Sequence, residues 1–343
     1  SNEKLNRLHE ICRRPFRANP QSVQSDCPGR EKFGYGGDIA GSAESFRVNW
    51  SMAPFYRKVI RDFSADIAVG FGGYASAPVL WAAQQMGVPT VIQEQNSYAG
   101  LTNKLLSRSA KRICVAYDDM ERFFAADKII KTGNPLRGTF SRTKSKSSEA
   151  LAYYSLREDL PTLLVVGGSL GTRTLNEMMK SWILSLEGKD APIQVIWQTG
   201  KYYHEQITKQ FRGRELPNVH VCDFISNMDA AYTAADLVVS RAGAGSISEF
   251  CLLGKAVILV PSPNVAEDHQ TKNALALVDK DAALYVKDAD APSNLIPLAL
   301  ATIKNEKKLT DLRANILTLA FHNSAEVIAD EVIALAQNYR SKK

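Results

Sequence analysis

The sequence lacks several features that would point to other classes of protein. Its 343 residues contain no apolar run of about eighteen residues, so no segment is expected to span a bilayer. The five cysteines stand singly without a C-x-x-C pair, which argues against a zinc site and favours a reducing compartment. We interpret Cys114 and Cys251, which lie in apolar runs, as small core residues. No RNA- or DNA-binding motif accompanies the net charge of +6, so nucleic acid is not an expected partner.

The most informative feature present is the segment Ser240-Arg-Ala-Gly-Ala-Gly-Ser-Ile-Ser-Glu249. It joins a β-branched run, typical of a buried parallel strand, to the start of a helix. Small residues there let a ligand approach the backbone, and the helix N-terminus offers unpaired N–H groups to an anion. Glu249, about one turn inside the helix, is placed to accept hydrogen bonds from a ribose diol. The segment predicts a nucleotide site, although a tight strand–helix turn is the alternative.

Two further junctions repeat this strand–glycine–helix pattern. Gly167-Gly-Ser-Leu-Gly-Thr172 follows a strand near 162–166, and Ser169 adds a hydroxyl donor suited to a phosphate. Gly70-Phe-Gly-Gly-Tyr74 follows a strand near 66–70. Neither is a G-x-G-x-x-G fingerprint, and no P-loop lysine follows. Each could merely close a βα turn.

The α/β alternation continues along the chain and predicts parallel sheets with right-handed crossovers. A polar stretch at 142–148 interrupts it, so we expect one domain at 1–141 and a second at 149–323, with an amphipathic helix in 324–343 packing back on the first. We expect helices near 51–63, 75–86, 100–108 and 118–124 in the first half. The strands expected in the second half lie near 162–166, 193–198, 219–222, 236–239, 256–260 and 283–286.

Six motifs, taken together, resemble the MurG family. They are Gly72-Gly-Tyr-Ala-Ser76, Gln93-Glu-Gln-Asn-Ser-Tyr-Ala-Gly-Leu-Thr-Asn103, Thr132-Gly-Asn-Pro-Leu-Arg137, Gly167-Gly-Ser-Leu-Gly171, Arg241-Ala-Gly-Ala244 with Ser248-Glu249, and His269-Gln-Thr-Lys-Asn273. The resemblance covers roughly residues 50 to 340. It implies two Rossmann-like domains facing a cleft (the GT-B fold) and inverting transfer of N-acetylglucosamine from UDP-GlcNAc to lipid I, giving lipid II. It implies no cofactor and no metal, and a peripheral location on the cytoplasmic face of the plasma membrane.

The resemblance also implies roles for individual residues. Backbone groups of Ile225 would bind uracil, Glu249 the ribose, and Ser169 with the turn ending at Ser246 the diphosphate. The remaining expected substrate contacts are Gln270 at the sugar hydroxyls, Asn96 at the N-acetyl side, Arg137 near the nucleotide, and Tyr74 and Asn103 within the matching motifs.

The first fifty residues depart from the family, whose opening strand and Gly-Gly-Thr-Gly-Gly-His loop are proposed to supply the general base. The nearest string here is Gly34-Tyr-Gly-Gly-Asp-Ile39, with Asp38 where the histidine would stand. Asp38 and Glu94 are therefore candidates for the base, and the catalytic group stays unassigned. The alternative function is a weakly active or inactive UDP-GlcNAc-binding protein with an incomplete N-terminal domain.

Basic and large apolar side chains alternate in Arg47-Val-Asn-Trp-Ser-Met-Ala-Pro-Phe-Tyr-Arg-Lys58. This combination predicts an interfacial patch for an anionic membrane surface. The alternative is a helix start that packs Phe55 and Val59 into the core.

Overall fold

The computed structural model describes residues 53–73, 76–136, 147–186, 191–214, 216 and 218–343. These residues form two compact units, each built on a parallel sheet. The first unit comprises the described residues up to Pro135 together with Asn323–Lys343, and the second comprises Leu136–His322. The expected fold class of two parallel-sheet α/β domains is confirmed.

The first unit carries a four-stranded parallel sheet in the order β1-β2-β3-β4. Its strands are β1 (Ala68–Gly70), β2 (Thr90–Glu94), β3 (Arg112–Val115) and β4 (Ile129–Lys131). Its helices are α1 (Ala53–Asp62), α2 (Ser76–Gln85), α3 (Leu101–Leu106) and, from the end of the chain, α12 (Ser324–Arg340). Helix α12 places Ile328 against Val91 and Cys114 of the sheet, and Glu331 pairs with Arg112 at 3.4 Å.

The second unit carries a six-stranded parallel sheet in the order β10-β9-β8-β5-β6-β7. The strands are β5 (Thr162–Val166), β6 (Gln194–Gln198), β7 (Val219–Cys222), β8 (Leu237–Ser240), β9 (Val257–Leu259) and β10 (Leu284–Tyr285). The helices are α4 (Ser148–Tyr153), α5 (Arg173–Ser185), α6 (Lys201–Gln210), α7 (Met228–Ala234), α8 (Ala244–Leu253), α9 (His269–Val278), α10 (Ala291–Ile303) and α11 (Glu306–Leu317).

Strands β5 and β8 are neighbours although a long stretch of chain separates them. The strand order therefore reverses between them, which is where parallel α/β sheets bind ligands.

Hydrophobic burial explains the strands. All five residues of β5 and all five of β6 are buried, as expected for strands covered on both faces. Trp197 of β6 is 0% exposed, and its indole N–H donates to Asn176 Oδ1 at 3.0 Å. Asn176 in turn donates to the Thr199 carbonyl, so the end of β6 is fixed against α5. Cys114 and Cys251 are buried, which confirms their interpretation as core residues.

One expectation about local structure is wrong, and one alternative is excluded. The helix expected near 118–124 is a single 3₁₀ turn at Met120–Arg122, because Asp119 before it adopts a left-handed conformation (φ 57°) and no side chain caps the turn. Helix α1 buries Ile60 rather than Phe55 and Val59, which are 42% and 46% exposed, so packing of those two into the core is excluded. Among the described residues, no helix is both long and apolar enough to cross a membrane.

Candidate functional site

The carboxyl edge of the second sheet brings the two glycine loops of this unit together. The loop Gly167–Gly171 follows β5, and Arg241–Gly243 follows the adjacent β8. Each leads into a helix whose N-cap residue, Thr172 for α5 and Gly243 for α8, makes no side-chain capping bond. The first amides of both helices therefore keep their donors for an anion, with the helix dipoles adding positive potential.

The two loops differ in how they are packed. A Cβ atom at Gly171 would lie 2.0 Å from the Thr199 carbonyl oxygen, so this glycine (φ +77°) lets the loop pass against the end of β6. A Cβ at Gly243 or Gly245 would meet no atom within 4 Å. The loop after β5 is thus held by backbone contact, whereas space remains open beside the start of α8.

Arg241 ties the loops of this edge to one another. Its Nη1 donates at 2.9 Å to the carbonyl oxygens of Val260 and Pro261, which follow β9, and its Nε lies 3.4 Å from Thr172 Oγ1. Asp288, which follows β10, pairs with Arg241 at 2.6 Å and accepts a hydrogen bond from Thr174. One guanidinium therefore joins the ends of β8, β9 and β10 to the start of α5.

Glu249 lies on α8 at this edge and is partly exposed. The hydroxyl of Tyr232 donates to its Oε2 at 2.8 Å and so orients the carboxylate. Burial, and then the charge of Glu249, raises the pKa of Tyr232 far above its ordinary value. The hydroxyl hence stays a donor at physiological pH, which fixes the orientation of the Glu249 carboxylate.

Gln270 lies in the first turn of α9, and its Oε1 accepts the backbone N–H of Ser262 at 2.9 Å. This bond fixes the orientation of the Gln270 side-chain amide. Asn273, on the same helix and 0% exposed, donates to the Ala242 carbonyl at 3.5 Å, so α9 is also attached to the glycine loop of β8.

Ile225 follows β7 at the same carboxyl edge, with its side chain 4% exposed. Its backbone N–H and C=O have no hydrogen-bond partner among the described residues. Ser169 is exposed in the loop after β5, and Ser246 lies in the first turn of α8. Five residues expected to bind substrate thus lie along one sheet edge: Ser169, Ile225, Ser246, Glu249 and Gln270.

Three other expected residues form a separate cluster in the first unit, at the end of β2. Glu94 is 2% exposed and accepts four hydrogen bonds. Its Oε1 receives the backbone N–H and side-chain amide of Asn96, and its Oε2 receives the Gly100 N–H and the Asn103 amide at 2.8 Å. Asn103 is 1% exposed, and Gly72 (φ +78°) makes room for its amide. The carboxylate shapes this loop, and its geometry does not favour a role as general base. Direct substrate contacts of Asn96 and Asn103 stay predictions.

Asp38, Tyr74 and Arg137 lie outside the described residues. The structure adds three residues to which sequence analysis assigned no role: Arg241, Tyr232 and Asp288. Arg241 stands within the motif Arg241-Ala-Gly-Ala244, so the sequence alone could have indicated a role for it. Asp288 belongs to the string Asp288-Ala-Asp290, which by itself indicates no partner, and the structure pairs it with Arg241.

Comparison with known proteins identifies the family. The Glycosyltransferase family 28 C-terminal domain matches residues 162–332, and the N-terminal domain of the same family matches residues 44–115. A UDP-N-acetylglucosamine–N-acetylmuramyl-(pentapeptide) pyrophosphoryl-undecaprenol N-acetylglucosamine transferase of Bacteroides thetaiotaomicron is 58% identical over 82% of this chain and 76% of its own length. The chain belongs to the MurG family. The Porphyromonas gingivalis protein of the same name is 49% identical over 82% of this chain and 74% of its own.

Solved structures agree with this assignment. The crystal structure of Acinetobacter baumannii MurG matches with a TM-score of 0.67 and 29% identity, covering 82% of this chain and 78% of that one. A UDP-GlcNAc 2-epimerase from Neisseria meningitidis, bound to UDP-GlcNAc, matches with a TM-score of 0.60 over 84% of this chain and 82% of its own. Its identity is 16%, so it shares the fold alone.

Proposed function

We propose that this MurG-family chain transfers N-acetylglucosamine from UDP-GlcNAc to lipid I, forming lipid II in peptidoglycan synthesis. The observation that carries the proposal is the pair of adjacent loops after β5 and β8. Each leads into a helix without a side-chain cap, and Glu249 lies one turn further along the second helix. The names and high identity of the relatives support the same activity.

The chemical groups at this edge match the parts of the donor. A diphosphate suits the N-terminal amides of α5 and α8, with the hydroxyls of Ser169 and Ser246 beside them. The oriented carboxylate of Glu249 suits the ribose diol, and the unpaired backbone groups of Ile225 suit the edge of uracil. The amide NH₂ of Gln270 would donate to a sugar hydroxyl.

Transfer with inversion places two demands on the protein. The acceptor hydroxyl attacks the anomeric carbon and loses a proton, while negative charge develops on the departing UDP. The positive ends of two helices, held in place before reaction by Arg241 and Thr172, stabilise that charge at low reorganisation cost. Arg137, outside the described residues, is proposed to assist.

The base that takes the proton stays a proposal. Glu94 has donors on both oxygens, so abstracting a proton would require the loop to release some of them. Asp38 lies outside the described residues and remains a candidate. The substitution Asp38→Asn keeps the size of the side chain and removes its basicity, so it should lower kcat by a factor of about 10² to 10⁴ if Asp38 is the base.

Helix α1 supports a peripheral position on an anionic membrane, at its cytoplasmic face. Phe55, Val59 and Phe63 recur at helical spacing and are 42%, 46% and 44% exposed. Arg57, Lys58 and Arg61 lie on the same segment. An exposed apolar stripe with flanking cations is typical of a helix that lies in the interface of a bilayer. Replacing Phe55 and Val59 with serine should reduce sedimentation with phosphatidylglycerol vesicles.

The test of the function is turnover. Purified protein incubated with radiolabelled UDP-GlcNAc and a short-chain lipid I analogue should release UDP and form a β-linked disaccharide product. Binding of UDP-GlcNAc without measurable transfer would favour the alternative, a nucleotide-sugar-binding protein. Release of N-acetylmannosamine without acceptor would instead indicate an epimerase.

A further inference from the structure

The loop between β7 and α7, residues 223–227, contains the backbone groups expected to bind uracil. The N–H and C=O of Ile225, at its centre, have no hydrogen-bond partner among the described residues. Backbone groups recognise the edge of a base well only when the loop that carries them is held in one conformation before the ligand arrives. The contacts that hold this loop therefore bear on how the donor nucleotide is recognised.

One side chain from outside the loop contacts both of its ends. Tyr154, at the end of α4, is 5% exposed. Its ring lies edge-on to that of His220 on β7, with the ring centroids 5.1 Å apart. Its hydroxyl donates to the carbonyl oxygen of Asn227 at 3.0 Å. Tyr154 thus contacts the strand that leads into the loop and the residue that begins the helix after it.

Asn227 connects the Tyr154 hydroxyl to the backbone near Ile225. Its side-chain oxygen caps α7 by accepting the Ala230 N–H at 3.0 Å, and its carbonyl oxygen accepts the Ala231 N–H at 3.2 Å. The Tyr154 hydroxyl gives the same carbonyl a second donor, as its two lone pairs allow. Burial raises the pKa of Tyr154 above its ordinary value, so the hydroxyl stays a donor at physiological pH.

We propose that Tyr154 is a positioning residue for uracil recognition, acting through the carbonyl of Asn227 on the backbone groups of Ile225. The inference rests on the proposed function, in which those groups bind the base. The diphosphate loops have other supports, namely the contact of Gly171 with Thr199 and the hydrogen bonds of Arg241. Loss of the Tyr154 hydroxyl should therefore weaken recognition of the base and spare recognition of the diphosphate.

The test compares Tyr154→Phe with Tyr153→Phe in the full chain. Each variant removes one hydroxyl and keeps the ring. Tyr153 is the matched control because it is 56% exposed and its hydroxyl has no hydrogen-bond partner among the described residues. Affinity is measured for UDP by calorimetry and for ribose 5-diphosphate, which lacks the base, by chemical-shift titration.

Tyr154→Phe should weaken UDP binding about fivefold and ribose 5-diphosphate binding by less than about twofold. Tyr153→Phe should change neither affinity. In turnover, Tyr154→Phe should raise the KM for UDP-GlcNAc about fivefold and change kcat by less than about twofold, because the base lies away from the bond that breaks.

A hydroxyl with a purely structural role would lower the urea midpoint of Tyr154→Phe and leave its UDP affinity unchanged, which would overturn the proposal. Equal losses for UDP and ribose 5-diphosphate would overturn it as well, since Tyr154 would then support the whole donor site. UDP binding by the unaltered protein that both variants retain refutes this inference alone. Absence of UDP binding by the unaltered protein refutes the proposed function and this inference with it.

Discussion

The carboxyl edges of the two sheets use similar residues for different purposes. In the first unit, Glu94 is buried and its two oxygens receive four donors from the loop that follows β2. In the second, Glu249 is partly exposed and Tyr232 orients one of its oxygens. A buried carboxylate with a full set of donors organises its own loop, whereas a partly exposed and oriented one is placed to meet a ligand.

The largest expected effect tests whether backbone contact holds the loop after β5. Gly171→Ala places a Cβ 2.0 Å from the Thr199 carbonyl oxygen at a positive φ, so unfolding free energy should fall by about 3–4 kcal/mol in a urea titration. Gly168→Ala is the matched control, because its φ is also positive (+83°) but no atom lies within 4 Å. It should cost about 1–2 kcal/mol from strain alone. Equal losses would show that the close approach to β6 is unimportant.

Replacing the buried carboxylate of Glu94 is expected to destabilise the protein without affecting the binding of UDP. Glu94→Gln turns an NH₂ group toward donors of Asn96, Gly100 and Asn103, so the unfolding free energy should fall by about 3 kcal/mol. Glu121→Gln, at an exposed position of the same unit, should change it by less than about 0.5 kcal/mol. Calorimetric affinity for UDP should be unaffected in both variants. A stable Glu94→Gln protein that has lost turnover would return Glu94 to the role of base.

For Glu249 we expect the larger effect on the binding of UDP and the smaller effect on stability. Glu249→Ala should weaken UDP binding by about 2 kcal/mol, about 30-fold, because ribose hydroxyls lose their acceptor. The unfolding free energy should fall by about 1–2 kcal/mol, less than for Glu94→Gln, because only the hydroxyl of Tyr232, which is 2% exposed, loses its acceptor. Isothermal titration calorimetry and urea unfolding on the same sample measure both quantities. Unchanged affinity together with a large loss of stability would place Glu249 with Glu94 and end the contrast.

The smallest effect concerns the sugar. Gln270→Ala should weaken UDP-GlcNAc about fivefold, by roughly 1 kcal/mol, while leaving UDP affinity unchanged, because the lost amide would face only the sugar. Lys272→Ala, on the same helix, is the control and should change neither affinity. Equal losses for both ligands would show that Gln270 acts through its bond to Ser262 on the loop after β9.

The sequence predicted most of the second unit because its signals are local. Strand β5 was predicted at its observed bounds, since a β-branched run between a proline and a glycine pair leaves little freedom. The glycine loops and Glu249 followed from the same local patterns. The strand order, which makes β5 and β8 neighbours, depends on pairings between distant segments and was not available from periodicity.

The residues to which sequence analysis assigned no role share a physical feature. Arg241, Asp288 and Tyr232 act through partners far away in sequence, so no spacing rule could pair them. Glu94 was a candidate base because a carboxylate in a family motif suggests chemistry, and only the structure reveals its four donors. The exposure of Phe55 and Val59 likewise depends on which face of α1 packs against α2.

A crystal structure of the protein with UDP-GlcNAc bound would show directly where the donor nucleotide lies. We expect diphosphate density at the N-termini of α5 and α8, beside Ser169 and Ser246, with the ribose hydroxyls within hydrogen-bond distance of Glu249. Density for the nucleotide at the end of β2, in contact with Glu94 and away from both helix N-termini, would contradict it.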